Sequence, residues 1–316
     1  MSALAFTILA ALLVGPVPAL LARADWPLRA PRATVVLWQA IALAAVLSAF
    51  SAGIAIASRL LMPGADGRPT ASVVGGIGRL GWPLWMLYVG VFALTILVGA
   101  RLAVAVLRVA IDTRRRRAHH RMLVDLLGVA GHGVSAQVGT RARDLRILGV
   151  AQPLAYCLPG VRSRVVLSEG TLAALTDAEV AAILSHERAH LRARHDLVLE
   201  GFTAVHAAFP RLVRSAGALD AVQLLVELLA DDAAVRTAGR TPLARALVAC
   251  ASGQTPSAAL AAGGPSTVVR VRRLSGRGNS RVLAAAVYAA AAAVLVVPTV
   301  ALAIPWLIEL QRLFFS

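Results

Sequence analysis

The sequence predicts a mainly α-helical integral membrane protein, with four transmembrane helices and an α+β domain between the third and the fourth. The mean hydropathy of the 316 residues is +0.74 and only 15% of them are charged, which is unusual for a soluble protein. Four long stretches contain no Asp, Glu, Lys or Arg, and each reaches the roughly 20 residues that a helix needs to cross the hydrocarbon core. These stretches are Met1–Ala22, Ala33–Ser58, Leu80–Ala100 and Val282–Ile308.

The predicted transmembrane helices cover about 2–22, 34–58, 80–107 and 282–308, and 309–316 is then a short tail. The first stretch could instead be a secretory signal peptide. It has no basic residue before its apolar run, however, and a second span follows almost at once, so an uncleaved helix is favoured. Two prolines in the last stretch, Pro298 and Pro305, predict a kink.

The arginines predict how the chain is oriented. A net charge of +16 would suggest nucleic-acid binding in a soluble protein, but here the arginines gather beside the spans and no direct nucleic-acid binding is expected. By the positive-inside rule, the domain between the third and fourth spans is cytoplasmic and both termini lie outside the cell membrane. Both clusters would also contact anionic lipid headgroups of the bilayer. The arginines concerned are Arg101, Arg108, Arg114, Arg115, Arg116, Arg117 and Arg121 after the third span, and Arg270, Arg272, Arg273, Arg277 and Arg281 before the fourth.

The cytoplasmic domain, 111–281, opens with the charge run R-R-R-R-A-H-H-R, which indicates a solvated or headgroup-facing helix end, and short apolar runs that resemble strands follow it. Pro159-Gly160 lies between the runs 154–158 and 164–167, which predicts a hairpin. A capping box at Thr176–Glu179 then begins a helix that is expected to continue towards Pro210.

Two more helices are predicted after Pro210. The first carries apolar residues at helical spacing between Leu219 and Leu229 and is ended by Gly239, and the second covers Pro242–Ala251. The segment 252–281 is rich in Gly, Ser, Pro and Arg, which predicts a mobile juxtamembrane linker.

Residues 185–196 read S-H-E-R-A-H-L-R-A-R-H-D and contain an H-E-x-x-H motif. On a helix, His186 and His190 project from the same face, and Glu187 lies at the edge of that face. Two imidazoles in this arrangement can hold Zn²⁺, and the adjacent carboxylate can take a proton from the metal-activated water. The alternative is a charged amphipathic helix without a metal.

A catalytic zinc site needs a third protein ligand, and Glu227 is the candidate. It lies in the sequence V-E-L-L-A-D-D, where its apolar neighbours make an unpaired carboxylate costly to bury. Asp231 is four residues later on the same helix face, and we expect it to accept a hydrogen bond from the outer nitrogen of a ligand histidine. The alternative for this pair is an exposed helix face with scattered acids.

The remaining histidines and both cysteines receive no metal role. His195 is expected at the surface or beside headgroups, and Asp196 is expected either to pair with a neighbouring arginine or to help orient the helix. A disulfide is unlikely to form in a cytoplasmic domain, so the cysteines are interpreted as small buried residues. The residues without a role are His119, His120, His132, His206, Cys157 and Cys250.

The motifs H-E-R-A-H-L-R-A-R-H-D at 186–196, E-L-L-A-D-D-A-A at 227–234 and A-Y-C-L-P-G at 155–160 resemble the BlaR/MecR-type membrane metallopeptidases of β-lactam resistance. The resemblance extends over the whole chain, as three spans, a cytoplasmic gluzincin-like zinc domain and a fourth span. It implies His186, His190 and Glu227 as zinc ligands, Glu187 as the catalytic base and Asp231 as the outer hydrogen-bond partner. These are the residues that the spacing favours.

The resemblance also implies a function, the inactivation of a cytoplasmic winged-helix repressor of the BlaI/MecI type in response to a cell-envelope signal. Staphylococcal-type members carry a penicillin-binding sensor after the last span, whereas only eight residues follow Ile308 here. We therefore expect the stimulus to enter through a partner protein, the external loop 59–79 or the spans. Two alternatives are an HtpX/CAAX-type quality-control or processing metalloprotease and a non-catalytic receptor or scaffold with a structural zinc site.

The predicted orientation can be measured by cysteine labelling. An Ala65→Cys variant should react with a membrane-impermeant maleimide in intact cells, because the second loop faces outward. An Ala261→Cys variant should react only after lysis, because the region before the fourth span faces inward. The reverse pattern would place the histidine motif outside and exclude a DNA-bound substrate.

Overall fold

The computed structural model describes residues 2–57, 76–131, 144–210, 215–251, 260–261, 267–276, 278–305, 307–308 and 311. Four helices among these residues are long and apolar enough to cross a membrane, as predicted, so the chain has the character of a membrane protein. They extend over Ala3–Arg23, Pro31–Ala57, Trp82–Leu127 and Arg281–Ala301.

The first two spans pack against each other at the start of the chain. The first consists of two helices, because the chain is interrupted at Gly15 before Pro16, whose ring blocks helical hydrogen bonding. A short 3₁₀ turn, Trp26–Arg29, connects it to the second span. The helices are α1 (Ser2–Val14), α2 (Pro16–Arg23) and α3 (Pro31–Ala57).

The third candidate span belongs to a helix that is much longer than a membrane crossing requires. After a short helix α4 (Gly76–Leu80), helix α5 (Trp82–Leu127) contains 46 residues and ends before Gly128. The predicted boundary near residue 110 is therefore not a break in the helix. No glycine or proline lies between Arg101 and Leu127, so the arginine run continues the helix beyond the apolar segment. It leads into the part of the chain between the third and fourth spans, which is the peripheral domain.

The fourth span contains the irregularity that its prolines predict. Helix α12 (Arg281–Pro298) is followed directly by a π-helical turn, Thr299–Ala303. Pro298 removes one backbone donor, and the wider turn accommodates the freed carbonyl groups.

A five-stranded sheet forms one layer of the domain between the third and fourth spans. The strand order is β1-β2-β4-β3-β5, with β2 and β4 parallel and the other pairs antiparallel. The predicted hairpin is confirmed, because Tyr156 of β3 pairs with Val166 of β4. The strands are β1 (Val129–Ala130), β2 (Leu145–Leu148), β3 (Ala155–Leu158), β4 (Arg164–Ser168) and β5 (Leu260–Ala261).

Six helices complete the domain, and two of them differ from the prediction. The helix expected to continue towards Pro210 is interrupted at Arg194, which has a φ of 53°. The segment predicted as a mobile linker contains an ordered helix, which is held by buried contacts of its arginines. The helices are α6 (Glu169–Ala174), α7 (Asp177–Ala193), α8 (His195–Ala208), α9 (Ser215–Ala238), α10 (Arg240–Cys250) and α11 (Thr267–Ser275).

Helix α9 connects the two apolar cores of the molecule. Its first half, with Val222 and Val226, belongs to a cluster that contains Trp38 of the second span. Its second half, with Ala234, belongs to the cluster of the peripheral domain, which contains Ile183 of α7. The helix therefore packs in both parts of the molecule at once.

The packing of α6 against the preceding loop can be tested with two glycines. A Gly170→Ala substitution should destabilise the fold by about 1–3 kcal/mol, because its Cβ would overlap the fixed backbone carbonyl of Ala151. A Gly201→Ala substitution in α8 has open space around it and should stabilise the helix by up to about 1 kcal/mol. Thermal unfolding of the two purified variants would reveal the difference, and equal midpoints would contradict the close approach at Gly170.

Candidate metal centre

Helix α7 holds the first two candidate ligands in the interior of the domain. It begins with the predicted capping box, in which the Glu179 carboxylate accepts a hydrogen bond of 2.9 Å from the backbone N–H of Thr176. One turn separates His186 from His190, so both imidazoles lie on the face that packs towards α9. Both side chains are buried, and their Nε2 atoms are 3.1 Å apart.

Helix α9 brings Glu227 to these two histidines. One carboxylate oxygen lies 3.4 Å from Nε2 of His186, and the other lies 3.5 Å from Nε2 of His190. The candidate ligand atoms of the three residues all lie within 4.8 Å of one another. Among the described residues, these three side chains form the group whose geometry could hold a metal ion.

The spacing of these donors suits zinc. Two ligand atoms at 2.0–2.2 Å from one tetrahedral ion are separated by about 3.3–3.6 Å. The separations from Glu227, 3.4 Å to His186 and 3.5 Å to His190, lie in that range, each through a different oxygen of the carboxylate, and the two Nε2 atoms are slightly closer at 3.1 Å. Two imidazole nitrogens and one carboxylate oxygen are also a donor set that zinc accepts, and three protein ligands leave a fourth position for water.

Asp231 lies behind His186, on the side away from Glu227. Its Oδ1 is 3.0 Å from Nδ1 of His186, which is an ion-pair distance. A carboxylate on this side of the ring leaves Nε2 available to a metal ion. Asp231 therefore lies beside the ring nitrogen where the hydrogen bond is predicted, and that hydrogen bond stays a prediction.

Glu187 is fully buried beside the ligands. Among the described residues, neither of its carboxylate oxygens has a hydrogen-bond partner, although the thiol of Cys157 lies nearby. Burial raises the pKa of Glu187 to about 7, and the neighbouring His186 opposes this rise. A carboxyl group with such a pKa can both accept and return a proton near neutral pH.

The electrostatic balance of the site favours a cation between the three candidate ligands. Burial lowers the pKa of His190 to about 3, so its ring stays neutral. Burial alone would raise the pKa of Glu227, but His190, His186 and Arg270 lower it to about 2. Burial also opposes protonation of His186, yet hydrogen bonds with Asp231 and Glu227 raise its pKa to about 9. A metal ion would replace that proton, because metal binding requires the neutral imidazole.

Arg270 is a member of this site that the sequence analysis did not identify. It lies on α11, is only 1% exposed, and donates hydrogen bonds of 2.9 and 2.7 Å to the two oxygens of Asp231. Its Nη1 is 2.9 Å from Oε2 of Glu227. The prediction assigned Arg270 to the membrane-flanking arginines. Arg270 lies on one helix face with Thr267 and Leu274 and is flanked by valines in the sequence. This pattern is the signal that could have identified it as a buried residue.

His195 is the second member that was missed, because it was expected at the surface. It is buried, and its Nδ1 lies 3.1 Å from Nδ1 of His190. The left-handed conformation of Arg194 turns the chain between α7 and α8 and places His195 there. Asp196 pairs with an arginine as predicted, since its carboxylate is 3.0 Å from Nη1 of Arg117 on α5.

Among the histidines and cysteines that the structure describes, none besides His186 and His190 belongs to this group. Cys157 and Cys250 are buried and free, as predicted. Nε2 of His120 lies 3.0 Å from the hydroxyl of Tyr156, which gives it a packing role in the described structure. His132 lies outside the described residues.

The comparisons with known proteins agree with this site. Residues 134–278 match the model of Peptidase family M48. This segment contains both histidines of the H-E-x-x-H motif, Glu227, Asp231 and Arg270. No curated protein and no solved structure matches the chain. The similarity indicates a metalloprotease, and the four apolar helices indicate that it is associated with a membrane.

The ligand assignment can be tested by measuring bound metal. Purified protein should hold about one zinc ion per chain. His186→Ala and Glu227→Ala each remove one donor, so both should lower the zinc occupancy. The loss should be more severe for His186→Ala. A His206→Ala variant, which leaves the site intact, serves as the control in elemental analysis. Stoichiometric zinc in a His186→Ala/His190→Ala double variant would contradict the assignment.

Proposed function

We propose that this protein is a zinc-dependent endopeptidase embedded in the cell membrane, with its active site on the cytoplasmic side. The observation that carries the proposal is the convergence of His186, His190 and Glu227 beside the buried carboxyl group of Glu187. A purely structural metal site has no use for a base next to its ligands, so Glu187 speaks against a receptor or scaffold.

The residues suit peptide hydrolysis. Bound zinc would polarise the substrate carbonyl and lower the pKa of water. Glu187 accepts one proton of the attacking water and delivers it to the nitrogen of the leaving amine as the C–N bond breaks. Its pKa of about 7 suits both transfers. His186 and His190 are held in orientation by Asp231 and His195, which keeps their Nε2 atoms directed into the site.

For the substrate, we propose a cytoplasmic transcriptional repressor of the BlaI/MecI type, which the peptidase would inactivate when a cell-envelope signal arrives. The resemblance of the motifs and of the order of spans and domain supports this choice. The direct packing of α9 against the second span supports a signalling role, because the helix that carries Glu227 contacts the membrane part.

A second candidate is a membrane quality-control or processing protease of the HtpX/CAAX type. The match to Peptidase family M48 favours it as much as it favours the signalling role. The two functions differ in substrate. A signalling peptidase cuts one repressor after a stimulus, whereas a quality-control peptidase cuts damaged membrane proteins without one.

One variant separates zinc binding from chemistry. Glu187→Gln keeps the shape of the side chain but cannot accept a proton, so it should bind zinc normally and lose proteolysis by at least about 100-fold. The exposed Glu169→Gln substitution is the matched control and should cleave like the wild type.

The readout is cleavage of a co-expressed BlaI/MecI-type repressor and of a misfolded membrane reporter, followed by immunoblotting. Undiminished cleavage by Glu187→Gln would remove Glu187 from the mechanism. Cleavage of the reporter alone would favour quality control over signalling.

A further inference from the structure

Arg270 is buried at the point where the two functional acids of α9 meet. Its guanidinium group forms a two-bond fork with Asp231, through Nε to Oδ2 at 2.9 Å and through Nη2 to Oδ1 at 2.7 Å. The third nitrogen, Nη1, lies 2.9 Å from Oε2 of Glu227. All three guanidinium nitrogens therefore lie within 2.9 Å of carboxylate oxygens of α9, two in hydrogen bonds and one in an ion pair.

The two acids contacted by Arg270 act at different distances from the metal position. Glu227 is the proposed third ligand, whereas Asp231 contacts His186 from behind. The guanidinium group is planar and rigid, so the fork orients Asp231 while the third nitrogen lies beside Glu227 in a fixed relation to it. Nη2 of Arg270 also lies 3.5 Å from Nε2 of His186, which places its charge at the edge of the proposed site.

We propose that Arg270 is a positioning residue for the metal centre, which holds Glu227 and Asp231 in the geometry that binds zinc. The inference rests on the proposed function, since it concerns the same site. This role belongs to α11, a helix that the Gly- and Ser-rich composition of the surrounding segment does not predict. A mobile linker could not hold a ligand, and this helix does so through one side chain.

A second arginine of α11 also contacts α9 but does not contact the candidate ligands. Arg273 donates hydrogen bonds of 2.8 and 3.1 Å to the carboxylate of Asp232, and another of 2.8 Å to the carbonyl of Leu28. Asn279 donates to the same Asp232 carboxylate at 2.8 Å. Arg273 therefore pairs α11 with α9 outside the candidate metal site. It provides a matched control, because it makes the same type of ion pair between the same two helices.

The alternative to positioning is simple electrostatics, and it predicts the opposite sign. A cation beside a zinc ion repels it, so its removal would tighten zinc binding if charge alone mattered. If Arg270 orients the ligands, its removal weakens zinc binding. A lysine at this position keeps the charge but cannot form the fork, so it tests geometry separately from charge.

The experiment uses the full-length protein in detergent or nanodiscs. Arg270→Gln should weaken zinc binding by about 10–100-fold in competition with a chelator, as is usual when a supporting residue of a metal site is lost. Arg270→Lys should lose part of this affinity, and Arg273→Gln should keep it. In protein loaded with Co²⁺, the absorption bands that report ligand geometry should change for Arg270→Gln and not for Arg273→Gln.

Two results would overturn the proposal. Unchanged or tighter zinc binding by Arg270→Gln would show that the arginine does not orient the ligands. An equal loss of affinity in Arg273→Gln would show that any weakening of α11 has the same effect. If Arg270→Gln does not fold, the Arg270→Lys variant decides between the same outcomes. A wild-type protein that binds no zinc would instead reject the proposed function itself.

Discussion

The site depends on how two carboxylates in apolar surroundings, Glu227 and Asp231, are compensated. Asp231 is fully buried, and 13% of the Glu227 side chain is exposed. Both lie on α9 where this helix passes from the apolar cluster around Trp38 to the cluster of the peripheral domain, and Val226, Leu228 and Ala230 beside them are fully buried. An unpaired carboxylate in such a place would take up a proton, because desolvation disfavours its charge. Arg270 and His186 supply the opposing charge and the hydrogen bonds, and both acids stay ionised.

The two histidine ligands are supported from opposite sides of the domain. His186 contacts Asp231, which is held by Arg270 on the segment that leads to the fourth span. His190 contacts His195, and the adjacent Asp196 pairs with Arg117 on the continuation of the third span. Glu200 also pairs with Arg117, at 2.7 Å. Each span that flanks the domain is therefore linked to the candidate metal site by an arginine. Arg117 makes this link for the third span and Arg270 makes it for the fourth, with only a few side chains between.

The sequence was sufficient for those features that follow a local period. Four spans, the hairpin at Pro159-Gly160 and the helix that begins after Thr176 each depend on residues close together in the chain, and the structure confirms them. The grouping of His186, His190 and Glu227 was also predictable, since a known metal-ligand spacing on one helix called for a third donor on another.

What the sequence could not give depends on contacts between distant segments. Arg270 is 39 residues from Asp231, and its place among other arginines near a span suggested a headgroup contact. His195 was misplaced because nothing in the spacing indicates a left-handed residue at Arg194, an ordinary amino acid in a conformation that arginine rarely adopts. Helix α5 is longer than its apolar run predicts, because the charged residues that follow the run continue a helix equally well.

The late position of Arg270 in the chain also determines the order in which the protein is made. The ribosome synthesises α7 and α9, with both histidines and both acids, before the guanidinium group that compensates these acids exists. Only residues 276–280 separate α11 from the fourth span, so Arg270 is made almost together with that span. The domain of the nascent chain that holds the candidate metal site is therefore completed only shortly before the fourth span is synthesised.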